Sequence, residues 1–199
     1  MYMNIVKRVT SLGMLFMLCL TMNAQIVSEN FSHNNMGWTQ REKGNEAIIK
    51  RGKLHLESKG KAAISTCYTP IDVNKPFTIS VEVEAKKLST THTVGMMVDV
   101  EDEFNFILFQ FEGDHVSFCR IVNEKLQGFR ESSIHVKTGR KITMALKSES
   151  NKLSFFVNGK KVIEYQKHLN TGETMIGTTG VGLYARGVTA EFDNFEINQ

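Results

Sequence analysis

Four of the five residues in Asp99-Val100-Glu101-Asp102-Glu103 are carboxylates. In an extended strand Asp99, Glu101 and Glu103 share one face. Paired carboxylates about 5 to 10 Å apart are what glycoside hydrolysis uses. The same run lies between two strand-like segments, so Glu101 to Glu103 are expected to be solvated charges in a turn. The histidines (His33, His55, His92, His115, His135 and His168) form no His-x-His or His-x-x-x-His pair, so no zinc site is signalled. No Gly-x-Ser-x-Gly elbow is present for a serine nucleophile. Asp193 and Asn194 offer oxygens of the kind calcium takes, but no ligand-rich loop accompanies them, and a hydrogen bond to the N-terminal strand is the expectation. The reading is therefore of no catalytic residue, no metal and no cofactor.

Aromatic residues are the remaining lead. A sugar site stacks an aromatic face on C–H surfaces and bonds hydroxyls with amides, carboxylates or arginine. A tight hairpin joining 94–100 to 104–111 would set Asn105 opposite Asp99 and Phe106 opposite Val98. A second hairpin at Gly113-Asp114 would set Arg120 opposite Ile107. Asp99, Asn105 and Arg120 then form a candidate polar cluster, with Phe106 and Leu108 pointing the other way. Both faces of this region are largely apolar, so the pattern does not separate core from groove. Trp38, the lone tryptophan, is either a core anchor or a ligand platform, and Tyr184 fits either side of its strand.

The elements that must hold these residues are strands. Helical periodicity is almost absent after residue 25, whereas period-2 alternation recurs, as in Phe77-Thr-Ile79-Ser-Val81-Glu-Val83-Glu and Lys141-Ile142-Thr-Met144-Ala-Leu146-Lys. Further strands are expected at 46–50, 53–57, 62–68, 93–100, 104–111, 115–122, 125–131, 152–157, 161–165, 181–185 and 188–197. Glycine turns separate many of them: Arg51-Gly52-Lys53, Glu112-Gly113-Asp114 and Thr138-Gly139-Arg140. Asn158-Gly159 predicts a type I′ hairpin turn. Short strands with regular turns, and no linker or repeat, predict a single all-β sandwich or barrel.

Residues 1–24 read as a signal peptide. Lys7 and Arg8 form a basic start, Leu12 to Leu20 an apolar run of about nine residues, and Ala24 the small residue before cleavage. The run is too short to span a bilayer, and no later run is long enough to do so. Residues 25–199 are then the mature domain, exported to the periplasm, the cell surface or the medium. Its charge is 22 basic against 21 acidic residues once Lys7 and Arg8 are removed from 24 and 21. A net +1 offers nothing to a polyanion, which excludes nucleic acid as the expected partner. Cys67 and Cys119 remain, either as one disulfide of an exported chain or as two buried thiols.

The order of several motifs resembles a known class. Glu29-Asn30-Phe31 leads to Gly37-Trp38 and Gly52-Lys53-Leu54-His55-Leu56, then to FTISVEVEA, Val94-Gly95, Glu103-Phe104-Asn105-Phe106 and Phe109-Gln110-Phe111. Later come Leu153-Ser-Phe-Phe-Val157-Asn158-Gly159-Lys160-Lys161-Val162, Gly180-Val181-Gly182-Leu183 and Phe192-Asp193-Asn194-Phe195-Glu196-Ile197. Over 29–197 this is similar to the laminin G-like, concanavalin A-like domains of exported bacterial proteins, among them 3-keto-disaccharide hydrolase domains. The Ala24-Gln25 junction resembles Bacteroidetes precursors. The resemblance implies a two-sheet antiparallel jelly-roll sandwich with adjacent N- and C-terminal strands. It also implies that Ile107, Phe109 and Phe111 point inward, exposing Phe106 and Leu108 and burying the polar trio. Hydrolases of the fold carry Glu-x-Asp-x-x-Glu or Glu-x-Asp-x-Glu on one strand; here Met97 stands where the first glutamate would be.

A class spanning sugar-binding modules, hydrolases and domains of other roles does not by itself fix function. A non-catalytic carbohydrate-binding module is the reading favoured here. A glycoside or 3-keto-disaccharide hydrolase is the alternative, and an envelope domain that binds an unidentified protein partner is the third. The first test concerns processing. Intact mass of protein recovered from periplasm or medium should place the N-terminus near Gln25, and a soluble form retaining residues 1–24 would refute the signal peptide.

Overall fold

In the computed structural model, residues 24–41, 46–85, 88–89, 91–133, 141–149, 151–166 and 176–199 are described. The expected signal segment up to residue 23, the expected turn at Thr138-Gly139-Arg140, His135 and His168 lie outside them. Fourteen strands occur among the described residues. They are β1 (Gln25–Glu29), β2 (Glu46–Lys50), β3 (Lys53–Glu57), β4 (Ala63–Tyr68), β5 (Phe77–Ala85), β6 (Thr93–Val98) and β7 (Phe106–Phe111). The second half comprises β8 (His115–Val122), β9 (Lys125–Ser133), β10 (Lys141–Glu149), β11 (Lys152–Val157), β12 (Lys160–Gln166), β13 (Gly180–Arg186) and β14 (Thr189–Asn198). The alternation marks all of these except β1.

They form two antiparallel sheets. One has eight strands in the order β12-β11-β10-β5-β14-β3-β2, with β1 also paired to β14; the other has six in the order β4-β13-β6-β7-β8-β9. The N- and C-terminal strands are adjacent, as Glu29 opposite Phe195 shows.

The core lies between the sheets and is closed by aromatic contacts. Phe109 of β7 stacks on Phe155 of β11 at 5.2 Å and 16°, and Phe118 of β8 on Tyr165 of β12 at 4.4 Å and 17°. Offset rings at such separations add to the gain from burying their area. Trp38 lies 5.7 Å from Phe31 and 5.1 Å from Phe195, and only 2% of it is exposed. Trp38 is a core anchor and not a ligand platform, because almost none of the ring is left accessible.

Three hairpins turn on pairs of left-handed residues: Arg51-Gly52, Asn123-Glu124 and Asn158-Gly159, with φ of 49° and 74° at the last. That is the type I′ turn expected at Asn158-Gly159. The Asn158 side chain also accepts a hydrogen bond from the Thr143 amide at 2.9 Å, tying the turn to β10.

The two outward faces differ in chemistry. On the eight-stranded sheet Lys53 pairs with Glu84 and Glu191, Lys141 with Glu82, and Lys147 with Glu149. The Glu191 and Glu84 pairings raise the Lys53 pKa and bonds from Lys141 and Asn194 lower that of Glu82, so both stay charged. The outward face of the six-stranded sheet instead carries a second apolar cluster of Met97, Leu108, Cys119 and Tyr184, flanked by Ile64, Phe106 and Ile121.

The candidate disulfide is not formed. Cys67 and Cys119 are both free and buried. Cys67 points into the inter-sheet core and Cys119 into the outward cluster. β4 and β8 stand four strands apart, about 19 Å at ordinary strand spacing, far beyond the reach of an S–S bond. Desolvation pushes both thiols above their ordinary range.

The turn at Asn158-Gly159 is testable. Gly159→Val should lower stability by about 1 kcal/mol or more, because a β-branched residue resists positive φ. Urea unfolding should show a reduced midpoint; an unchanged midpoint would argue that φ at this position is not left-handed.

Candidate functional site

Cross-strand register sets the outward face of the six-stranded sheet in rows. Thr66 pairs with Gly182, Gly182 with Met97, Met97 with Leu108, Leu108 with Cys119, and Cys119 with Phe129. In the next row Ile64 pairs with Tyr184, Tyr184 with Gly95, Gly95 with Gln110, and Gln110 with Ser117. Strand β4 turns its small residues Ala63, Ser65 and Cys67 inward and its larger ones Ile64, Thr66 and Tyr68 outward. On β13, Gly180 and Gly182 present no side chain to this face. A Cβ at Gly182 would sit 3.1 Å from Thr66 and 3.2 Å from Met97, so glycine there lets these two side chains close over β13.

A cleft of about 780 Å³ lies on this face, with Gly180 in its lining. Its walls include Thr39, Arg41, Lys61, Ile64, Thr66, Tyr68, Met97 and the loop Glu101 to Glu103. From Lys61 to Tyr68 it follows β4 for about 23 Å at the rise of an extended strand. Tyr68 is 68% exposed, the most exposed large apolar side chain among the described residues. Its hydroxyl donates to the Glu101 carbonyl oxygen at 3.4 Å, which ties the ring to the 101–103 loop. Arg41 lies 3.9 Å from Glu103 across the wall, with both side chains largely in water. Thr39 is fixed to the edge of β4 by backbone and side-chain bonds to Thr66.

A smaller hollow of about 110 Å³ lies beside it, lined by Asp99, Glu101, Asn105, Phe106, Arg120 and Ile121 among others. Glu101 is common to both. The polar trio thus comes together, though not by the expected hairpin. Val98 pairs with Ile107, not with Phe106, because residues 99–105 form a longer loop closed by a bond from the Glu101 amide to the Asn105 carbonyl. The one-residue difference puts Ile107, Phe109 and Phe111 inward and Phe106 and Leu108 outward, the parity the family resemblance implies, but Leu108 is packed in the outward cluster and only 5% exposed. Arg120 does pair with Ile107.

Two members of the trio have internal partners. Asp99, 8% exposed, accepts bonds from the Gly177 and Thr178 amides at 2.8 and 2.9 Å, and its other oxygen lies 3.8 Å from Arg120. Asn105 donates to Asp102 at 2.9 Å and accepts from the Asn123 amide at 3.0 Å. Both carboxylate oxygens of Asp102 receive that side-chain amide, and the Phe104 amide joins them, so its pKa is lowered. Glu101 to Glu103 are exposed turn residues, as expected. Tyr184 is outward but only 7% exposed, packed in the apolar cluster, and burial raises its phenol pKa. Asp193 and Asn194 lie at a bulge in β14, where Asn194 donates to Glu82 at 2.6 Å, and not to the N-terminal strand. Among the described residues no group of three or more His, Cys, Asp or Glu is placed to hold a metal ion.

Tyr68, Thr66, Arg41 and the two glycines were not among the residues expected in a site. Two signals mark them. A Gly-x-Gly inside a strand leaves one face bare. A strand whose larger side chains alternate against its small ones points the larger ones away from the crowded core.

No protein-family model and no curated protein matches the sequence. Solved structures do. The chain is a concanavalin A-like jelly-roll sandwich. It superposes on a carbohydrate-binding module, CBM66 from Bacillus subtilis, with a TM-score of 0.62 and 18% identity, over 83% of this chain and 98% of that one. A galectin-like protein of unknown function from Bacillus subtilis gives 0.62 at 12% identity, over 89% and 97%. A β-glucanase from Bacillus licheniformis gives 0.59 at 10%, over 87% and 97%. At such identities the likeness is one of fold.

Asp99 anchors the segment at 177–178, so Asp99→Ala should cost about 2 kcal/mol, the scale of losing charge-assisted hydrogen bonds from a buried group. Thermal or chemical unfolding measures this; a variant as stable as the parent would show that the carboxylate does not hold that segment.

Proposed function

We propose that the chain is an exported, non-catalytic carbohydrate-binding module whose site is the cleft on the outward face of the six-stranded sheet. The observation that carries this reading is Tyr68, a largely exposed aromatic ring in a cleft walled by Thr39, Thr66, Arg41, Lys61 and Glu101. A ring offers a flat surface to the C–H face of a pyranose, and the surrounding groups supply donors and acceptors for its hydroxyls. The contrast between outward faces supports the choice of side. One sheet covers itself with ion pairs, whereas the other leaves apolar surface beside polar groups.

Binding is favoured over hydrolysis by what occupies β6. Its outward positions run Thr93, Gly95 and Met97, then Asp99 just beyond the strand, whose carboxylate is committed to two backbone amides. That strand does not present two free carboxylates at the spacing glycoside hydrolysis needs. A carbohydrate-binding module among the solved structures of the same fold is in keeping with this reading.

A glycan array followed by calorimetry tests it. Dissociation constants on the order of 10 µM to 1 mM are expected, since a shallow site with few anchors recovers little beyond its ordering cost. Tyr68→Ala should abolish measurable binding without changing the melting temperature, because the ring buries little area. Turnover of a glycoside by the pure protein, lost in Asp99→Ala or Glu101→Ala, would overturn the proposal.

A further inference from the structure

The cleft and the smaller hollow open on one face and meet at Glu101. Each hollow carries an aromatic residue, Tyr68 in the cleft and Phe106 in the smaller hollow. Tyr68 pairs with Gly180 and Phe106 with Ile121, and Gly180 and Phe106 each lie one residue beyond the row in which Val181, Val98 and Ile107 pair. Tyr68 and Phe106 therefore lie along one cross-strand row. β4 and β7 are three strand spacings apart in that row, about 14 Å. A single sugar cannot touch both rings; a chain of several sugars crossing the strands can.

The junction has its own chemistry. Asp99 and Asp102 are engaged by backbone amides, and Glu103 faces Arg41. The Glu101 carboxylate has no hydrogen-bond or ion-pair partner among the described residues. A carboxylate at that point accepts hydrogen bonds from sugar hydroxyls and repels a uronate or sulfate.

Resting on the reading of the cleft as a glycan site, we infer that the protein binds the interior of a neutral, linear oligosaccharide that bridges the two hollows, with Tyr68 and Phe106 as separate aromatic subsites and Glu101 between them. Recognition is then of a stretch of chain, not of one terminal sugar, and affinity depends on length. A ligand confined to the Tyr68 end gains nothing from Phe106.

Calorimetry on the mature chain separates these cases. The probes are laminari-, cello-, xylo- and manno-oligosaccharides from monosaccharide to hexasaccharide, with oligogalacturonides as the acidic series. For a neutral series that binds, affinity should rise at least tenfold between the disaccharide and the chain that spans both rings, then level. Phe106→Ala should remove that rise while leaving disaccharide binding intact, which also shows that the variant is folded. Tyr68→Ala should weaken every length. Oligogalacturonides should bind at least tenfold more weakly than the neutral chains, and Glu101→Gln should narrow that gap.

Equal affinity for the disaccharide and the hexasaccharide would overturn the bridging site while leaving the glycan reading in place. So would a Phe106→Ala loss that is the same at every length. Oligogalacturonides that bind as tightly as neutral chains would overturn the role of Glu101. If no series binds at all, the glycan reading itself falls, and the bridging site with it.

Discussion

The rings that close the two sheets over each other decide where every other side chain of the six-stranded sheet can point. Phe109 against Phe155 and Phe118 against Tyr165 lock the parity of β7 and β8. A strand has only two faces, so fixing one residue inward sends its neighbours out. With Phe109 inward, Leu108 is outward; with Phe118 inward, Cys119 is outward. The ladder carries the same parity to Met97 on β6 and Gly182 on β13. Slipping β7 by one residue would put Leu108 and Gln110 between the sheets and lose the ring contacts, each burial of a phenylalanine being worth about 1.5–3 kcal/mol. The outward apolar cluster is thus a consequence of core packing as well as a surface in its own right.

This is why much of the fold was legible and the site only partly so. Period-2 alternation located thirteen of the fourteen strands, and the turn chemistry at Asn158-Gly159 was read correctly because positive φ demands particular residues. β1, QIVSE, was not recognised: its burial climbs toward Glu29 without alternating between apolar and polar types. The register of β6 against β7 was misjudged by one residue, since nothing in Val100 to Asn105 announces that the loop closes through Glu101 and Asn105 instead of by a two-residue turn. The polar trio was nevertheless brought together, because proximity within a loop tolerates a slip that side-chain parity does not. The cysteines and Trp38 show the complementary limit. Their types fit two roles each, and only the long-range strand pairing places Trp38 and Cys67 between the sheets and Cys119 in the outward cluster.

The two outward faces solve the same problem in different ways. A sheet face in water must carry polar groups or find something to cover it. The eight-stranded sheet takes the first course with cross-strand lysine–glutamate pairs, which individually contribute little when exposed but make that face largely polar. The six-stranded sheet carries Ile64, Tyr184, Met97, Leu108 and Cys119 in adjoining rows and covers most of them by packing them against each other. What stays exposed lies at the margins of that cluster, at Tyr68 on one edge strand and at Phe129 and Leu126 on the other, each more than half accessible.

The two strand glycines connect this packing to recognition. A Cβ at Gly180 would fall 2.0 Å from the Val100 carbonyl oxygen, so glycine there is required by the close passage of the loop that carries Glu101. At Gly182 the neighbours are side chains 3.1 to 3.2 Å away, a distance that an added methyl could gain by small shifts of Met97. The first glycine lets the loop approach the sheet; the second lets Thr66 and Met97 close over β13. Because the same loop ends at Phe106 and accepts the Tyr68 hydroxyl at its Glu101 carbonyl, its position sets the distance between the two rings. A rigid floor of paired strands and a loop fastened by Asp99 to the 177–178 segment therefore hold both aromatic faces in place before any ligand arrives. Preorganisation of that kind lowers the ordering cost of binding, which matters most for a site with few contacts to offer.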